Sequence, residues 1–249
     1  MRKWLLILVV ALGVLDLADE GYIAVTAAHV IRFTHYYRDP DVAQLPEVMS
    51  AAYARAREQD VDLMPRPRIE FGDIEHAAGV VIFLHGFAGS FVLPCWELSR
   101  MVARADLATV CPSTGLKGDW WSASGERTVR ATVEDLRRRG VRKFYLAGLS
   151  NGGVGATLLA PRMKDTFHGL LLISGASPSA ANPGIPVLAV QGQHDTMMPA
   201  SLVHAYTQRV GGRYVELDAG HFAMLLRAQE TGDAVVSWLG PTPIGSCKR

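Results

Sequence analysis

The chain has 249 residues, 49% hydrophobic and 20% charged, with a net charge of +1. That is long enough for one large core in a single open-sheet domain. The balanced charge, with no long run of one sign, leaves no footprint for nucleic acid and makes a neutral or weakly charged substrate the default.

The N-terminus stands apart. Arg2 and Lys3 precede an apolar stretch from Trp4 to Leu15, the length of a secretory hydrophobic region. Asp16, Asp19 and Glu20 follow, which is unusual for a cleavage region, and the small residues Ala24 to Ala28 come late. No cysteine follows closely, so a lipoprotein signal is not supported. An export signal, cleaved or retained as a membrane anchor, competes with a helix packed on the domain. A spanning helix would need about 20 apolar residues, more than the run supplies. Residues 1–28 are therefore set apart as a signal or anchor segment. Location is exported or membrane-anchored through this segment, otherwise cytoplasmic.

Residues 29–67 form a helical extension. Val42, Leu45, Val48, Met49, Ala52, Tyr53 and Ala56 recur at helical spacing between Asp41 and Gln59. Asp39-Pro40 and Asp60-Val61-Asp62 punctuate the two ends, and Met64-Pro65-Arg66-Pro67 is a stiff connector. From Arg68 strands and helices alternate. Ile69–Gly72 reads as an edge strand and Gly79–Leu84 as a central parallel strand, apolar throughout because both its faces are covered. A helix over Leu98–Arg104, a strand over Leu107–Pro112 and a helix over Glu126–Arg139 follow. The strand Lys143–Ala147 leads into a small-residue helix beginning at Gly153. Two buried strands come next, Gly169–Ser174 and Pro186–Gly192. A helix over Ala200–Val210, a strand over Arg213–Leu217 and a closing helix over Ala223–Leu239 complete residues 68–240. This order predicts an α/β fold with a mostly parallel central sheet and helices on both faces. The tail, 241–249, reads as loose. Of the three cysteines, Cys95 and Cys111 could pair if the chain is exported, or remain free thiols. With Cys247, they offer no metal-ligand spacing.

In open parallel sheets ligands bind beyond the carboxyl ends of the strands. The residues there are His85-Gly86-Phe87, then Gly148-Leu149-Ser150-Asn151-Gly152, then Gln191-Gly192-Gln193-His194-Asp195, then Asp218-Ala219-Gly220-His221-Phe222. A serine between a buried strand and a helix sits at a sharp, strained corner with its hydroxyl exposed, and the flanking glycines leave room for close packing. A serine, an acid and a histidine thus emerge at one edge in the chain order Ser, Asp, His.

On these four motifs the chain from about Arg68 to Leu239 resembles the α/β-hydrolase superfamily, and within it small carboxylesterases and lysophospholipase-like enzymes. The resemblance implies Ser150 as nucleophile, His221 as base and Asp195 as the acid that orients it. It implies oxyanion donors at the backbone N–H groups of Phe87 and Asn151, each typically contributing about 2.7–4 kcal/mol to the transition state. Asp218 is the competing acid. His85 is read as a brace of the oxyanion loop and His194 as structural, and His29, His35, His76, His168 and His204 fit no motif. Trp120 and Trp121 either line a substrate pocket or cap the core. Met197, Met198, Phe91 and Phe222 are further candidates for its apolar wall, and Ser90 and Ser174 lie near the edge. Serine at the elbow argues against dehalogenase and epoxide-hydrolase chemistry. The stretch between Ser174 and Ile185 has almost no room for a cap domain, so an open site follows unless the 41–59 helix folds over it. The expectation is a serine esterase acting on a small-molecule or lipid ester, with no cofactor and no metal. The alternatives are a peptidase, amidase or thioesterase, and an inactive hydrolase-fold binding protein.

Overall fold

A computed structural model describes residues 21–87 and 92–240. Most of the apolar leader, the tail with Cys247, and Ser90 and Phe91 lie outside the described residues.

Seven strands form one sheet: β1 (Arg68–Phe71), β2 (Gly79–Leu84), β3 (Leu107–Pro112), β4 (Phe144–Leu149), β5 (Leu170–Ile173), β6 (Val187–Gly192) and β7 (Arg213–Leu217). Their order is β1-β3-β2-β4-β5-β6-β7. Only β1 runs antiparallel, pairing Ile69 with Cys111 at the edge. β2, β3, β5 and β6 are buried along their whole length. Alternate residues of β2 supply two separate cores. Val80, Ile82 and Leu84 join the layer containing Trp120, Val129, Leu136, Leu159 and Tyr206. Val81 and Phe83 join the layer containing Leu98, Met101, Met224 and Val235.

The helices that cover these faces begin where local chemistry allows. The helix after β2 (α3) runs Val92–Ala103, starting well before the expected Leu98. Pro94 is compatible with a first turn, where its missing N–H would have no partner, so it does not delay the helix. α4 (Ala123–Arg138) is capped by Ser122, whose Oγ accepts from Gly125 N–H. α5 (Asn151–Leu159) and α6 (Ala200–Arg209) follow β4 and β6. The closing helix is broken: Arg227, at φ −123° and ψ 47°, separates α7 (Ala223–Leu226) from α8 (Ala228–Leu239).

Ahead of the sheet, residues 21–36 are helical (α1), so Ala24 to Ala28 lie within a helix. A 3-10 turn over Pro40–Ala43 precedes α2 (Leu45–Glu58). Leu45, Met49, Ala52 and Tyr53 of α2 pack against Val92, Leu93 and Trp96 of α3, with Ile23 of α1 in the same cluster. No cap is inserted between β5 and β6, which are joined by residues 174–186. A disulfide joins Cys95 of α3 to Cys111 of β3, with the Cα atoms 6.3 Å apart. Among the described residues no helix is long and apolar enough to cross a membrane.

Candidate active site

Ser150 links β4 to α5 with φ 55° and ψ −119°, a left-handed conformation that costs a non-glycine residue of order 1–3 kcal/mol. The neighbouring packing maintains it. A Cβ on Gly152 would overlap the carbonyl of Leu84 at the end of β2, so only glycine lets α5 begin this close to the adjacent strand. Gly86 approaches from the other side, where an added Cβ would stand 3.1 Å from the Ser150 Cβ.

Asp195 lies buried after β6. Its Oδ1 accepts from the N–H groups of Met197 (2.9 Å) and Met198 (2.8 Å). Its Oδ2 accepts from His221 Nδ1 (2.8 Å) and from Gln191 Nε2 (2.7 Å). A carboxylate saturated with donors requires His221 to carry its proton on Nδ1, which leaves Nε2 free to accept. Asp218, the competing acid, is exposed and bonds to His194 Nε2 (3.1 Å) and Gln193 Nε2 (3.0 Å). The Asp195–His221 pair and the Asp218–His194 pair are therefore separate.

Ser150 and His221 line one cavity of about 100 Å³. No hydrogen bond joins their side chains among the described residues; such catalytic contacts are often long without substrate and tighten in the Michaelis complex. Phe87 lines the same cavity and is 42% exposed. Asn151 begins α5, where the first N–H groups have no intrahelical acceptor and the helix dipole favours negative charge. Its side chain is occupied elsewhere, donating to Lys117 O (3.0 Å).

The candidate wall residues divide. Met197 and Phe222 line the cavity. Trp120 does not. It is fully buried in the core, and its Nε1 donates to His85 O (2.9 Å). Its side chain packs against Gly155 of α5 while its one donor holds the loop that follows β2. Trp121, 41% exposed, also lies off the cavity. Much of the remaining wall comes from outside the strand-end loops: Val30 and Phe33 of α1, Met49 and Tyr53 of α2, Leu93 and Pro94 of α3, and Met224 and Leu225 of α7. Helical spacing in 41–59 marked an apolar face; nothing in it marked which residues of that face reach the serine. Gln191, which braces Asp195, was also missed, since a polar residue at a strand end carries no periodic pattern.

His85 is buried, with Nδ1 donating to Gly86 O (2.8 Å) and Nε2 3.3 Å from Ser113 Oγ. Burial holds its pKa below the ordinary histidine value, with the Gly86 bond opposing in part. The unfolded chain therefore takes up a proton below about pH 6.5 that the folded chain refuses. Stability from this residue is present above that pH and is lost as pH falls toward the lowered folded value. Asn in place of His85 can keep the donor to Gly86 without titrating. Melting temperature followed from pH 7 downward is expected to fall less steeply in His85→Asn than in the parent. Equal slopes would show that His85 is not held neutral.

No protein-family model and no curated protein sequence matches this chain. Solved structures do. Est1E from Butyrivibrio proteoclasticus superposes with a TM-score of 0.55 at 16% identity, covering 68% of this chain and 90% of that one. An α/β hydrolase enzyme from the metagenome of sediments of the lagoon of Mar Chica gives 0.57 at 14%, covering 69% and 93%. The monoacylglycerol lipase of Paleococcus ferrophilus gives 0.58 at 16%, covering 71% and 98%. The chain has the α/β-hydrolase fold. Within that α/β-hydrolase frame, no group of three or more His, Cys, Asp or Glu among the described residues is arranged to hold a metal ion.

Proposed function

We propose that this α/β-hydrolase is a serine esterase that cleaves small carboxylic esters through an acyl-Ser150 intermediate. The observation that carries the reading is the buried Asp195–His221 hydrogen bond beside a strained elbow serine on one apolar cavity. His221 Nε2 takes the Ser150 proton as Oγ bonds to the carbonyl carbon. The resulting oxyanion is held by the N–H groups of Phe87 and Asn151. Collapse expels the alcohol, which leaves with the proton from Nε2. Water then adds to the acyl-enzyme by the same route, releasing the acid and restoring Ser150. The Paleococcus ferrophilus neighbour is named as a monoacylglycerol lipase, and its likeness in fold supports this reading.

Among the described residues no Asp, Glu, Lys or Arg lines the cavity, which supports a neutral, apolar acyl group. The same proposal has the chain work in an oxidising compartment, reached through its apolar leader. The Cys95–Cys111 disulfide supports this.

The test is kcat/KM on p-nitrophenyl esters of increasing acyl length, with matched anilides and thioesters and Ser150→Ala as control. The expected profile has kcat/KM on esters well above that on the matched anilides and thioesters, with turnover lost in Ser150→Ala. A preference for anilides, or no turnover of any ester, would overturn the reading.

A further inference from the structure

The turn that opens the extension reaches into the catalytic loops. Asp39 and Asp41 are 0% and 3% exposed, and among the described residues neither is paired with Lys or Arg. Their oxygens are taken up instead by backbone far along the chain. Asp41 Oδ1 accepts from Gly220 N–H (2.6 Å) and Oδ2 from Phe222 N–H (2.7 Å), on either side of His221. Asp39 Oδ2 accepts from His221 N–H (3.1 Å) and from both the N–H (3.1 Å) and the hydroxyl (3.2 Å) of Thr196, the neighbour of Asp195. Asp39 Oδ1 accepts from Asp41 N–H (3.1 Å), which locks the two carboxylates to each other. A Cβ on Gly220 would overlap Asp39 Oδ1, so the close approach requires glycine in the loop that carries the base.

Burying two neighbouring carboxylates without a cation is costly. Desolvation raises the pKa of Asp41, and the charge of Asp39 raises it further, against the lowering effect of its two backbone bonds. A plain apolar contact would join the extension to the sheet at less cost. What the carboxylates add is direction. Each backbone N–H from 220 to 222 is pinned to an oxygen, and the same pair of side chains grips both the loop of the acid and the loop of the base.

We propose that Asp39 and Asp41 are positioning residues that set the Asp195–His221 geometry, making the N-terminal extension part of the catalytic unit. The proposal rests on the assignment of Ser150, Asp195 and His221 as the triad. Neither carboxylate touches substrate; each acts through the backbone of residues 196 and 220–222.

Asp41→Asn is the direct test. An amide offers one acceptor and one NH2 where two N–H groups need two acceptors, so the loop around His221 must shift. Misplacement of about 1 Å can cost about 100-fold in rate, so kcat on the best short ester is expected to fall about 100-fold with KM held within about twofold. A fluorophosphonate should show the same split, with the maximal labelling rate reduced and the half-saturating concentration unchanged. Leu136→Ala, which empties core space in α4 within the other core layer of the sheet, is the control. It should lower the melting temperature at least as much while leaving kcat near the parent value. Thr196→Val removes only the hydroxyl donor to Asp39, keeps the fold, and should lower kcat about threefold to tenfold. If Asp41→Asn does not fold, this variant decides.

If the parent enzyme neither labels nor turns over esters, the hydrolase assignment fails. If the parent is active and Asp41→Asn keeps its kcat, or Leu136→Ala loses as much kcat at an equal drop in melting temperature, positioning by the carboxylates is refuted. An unchanged kcat in Thr196→Val refutes it equally.

Discussion

Ser150→Ala is expected to lower kcat for ester cleavage by a factor on the order of 10⁶, with the melting temperature within a few degrees of the parent. The size follows from the chemistry. Without Oγ no acyl-enzyme forms, and what remains is binding plus oxyanion stabilisation of direct water attack. His221→Ala should cost nearly as much, because an unactivated hydroxyl is a poor nucleophile at neutral pH. The double variant should be no worse than either single one, since the two side chains act in one proton-transfer step. Stopped-flow or long-incubation assays on a short p-nitrophenyl ester measure all three. Effects that multiply in the double variant would show that Ser150 and His221 act independently, and the triad reading would fall.

Gly152→Ala should have the second largest effect, and it acts on folding. Gly152 lies in the first turn of α5. On intrinsic helix preference alone, alanine there would stabilise by about 0.5–1 kcal/mol. Here the added Cβ would overlap the Leu84 carbonyl and lie 2.9 Å from His85 O. Both obstacles are backbone, so no side-chain rotation relieves them, and α5 must withdraw from β2. Overpacking of this kind costs at least about 3 kcal/mol. The urea midpoint should move down accordingly, and the folded remainder should be less active because the start of α5, beside Ser150, is displaced from the end of β2. A midpoint that rises would mean that α5 is not pressed on the β2 strand end.

Much of the architecture could be read from the chain because it depends on local rules. Gly79–Leu84 is apolar at every position, and a strand covered on both faces needs that. The spacing from Leu146 through Ser150 to Gly152 encodes strand, corner and helix within a few residues. Asp195 and His221 were singled out as candidates because strand ends in a parallel sheet share one edge, and the fold brings the two within 2.8 Å. Where local rules were weak, boundaries moved. α3 begins at Val92 rather than Leu98, since a proline near a helix start permits what a proline inside would break. The closing helix divides at Arg227, and no break-forming residue stands there in the sequence.

The partners of polar side chains were not legible. Nothing in the Asp39-Pro40-Asp41 turn indicates that it meets residues 220–222, and the His221–Asp39 bond spans 182 positions. Trp120 and Trp121 are identical in type and adjacent, yet one fills the core and the other faces outward. The four residues of α1 and α2 that wall the cavity were similarly hidden in an ordinary helical stripe. By itself the sequence determined the α/β alternation, the elbow and the order of the three triad candidates, because periodicity and turn chemistry are properties of neighbouring residues. Only the tertiary structure decided which carboxylate holds which histidine and what closes the cavity. A buried polar atom must find a partner wherever the packed chain brings one within about 3 Å, and that distance is set by the whole fold.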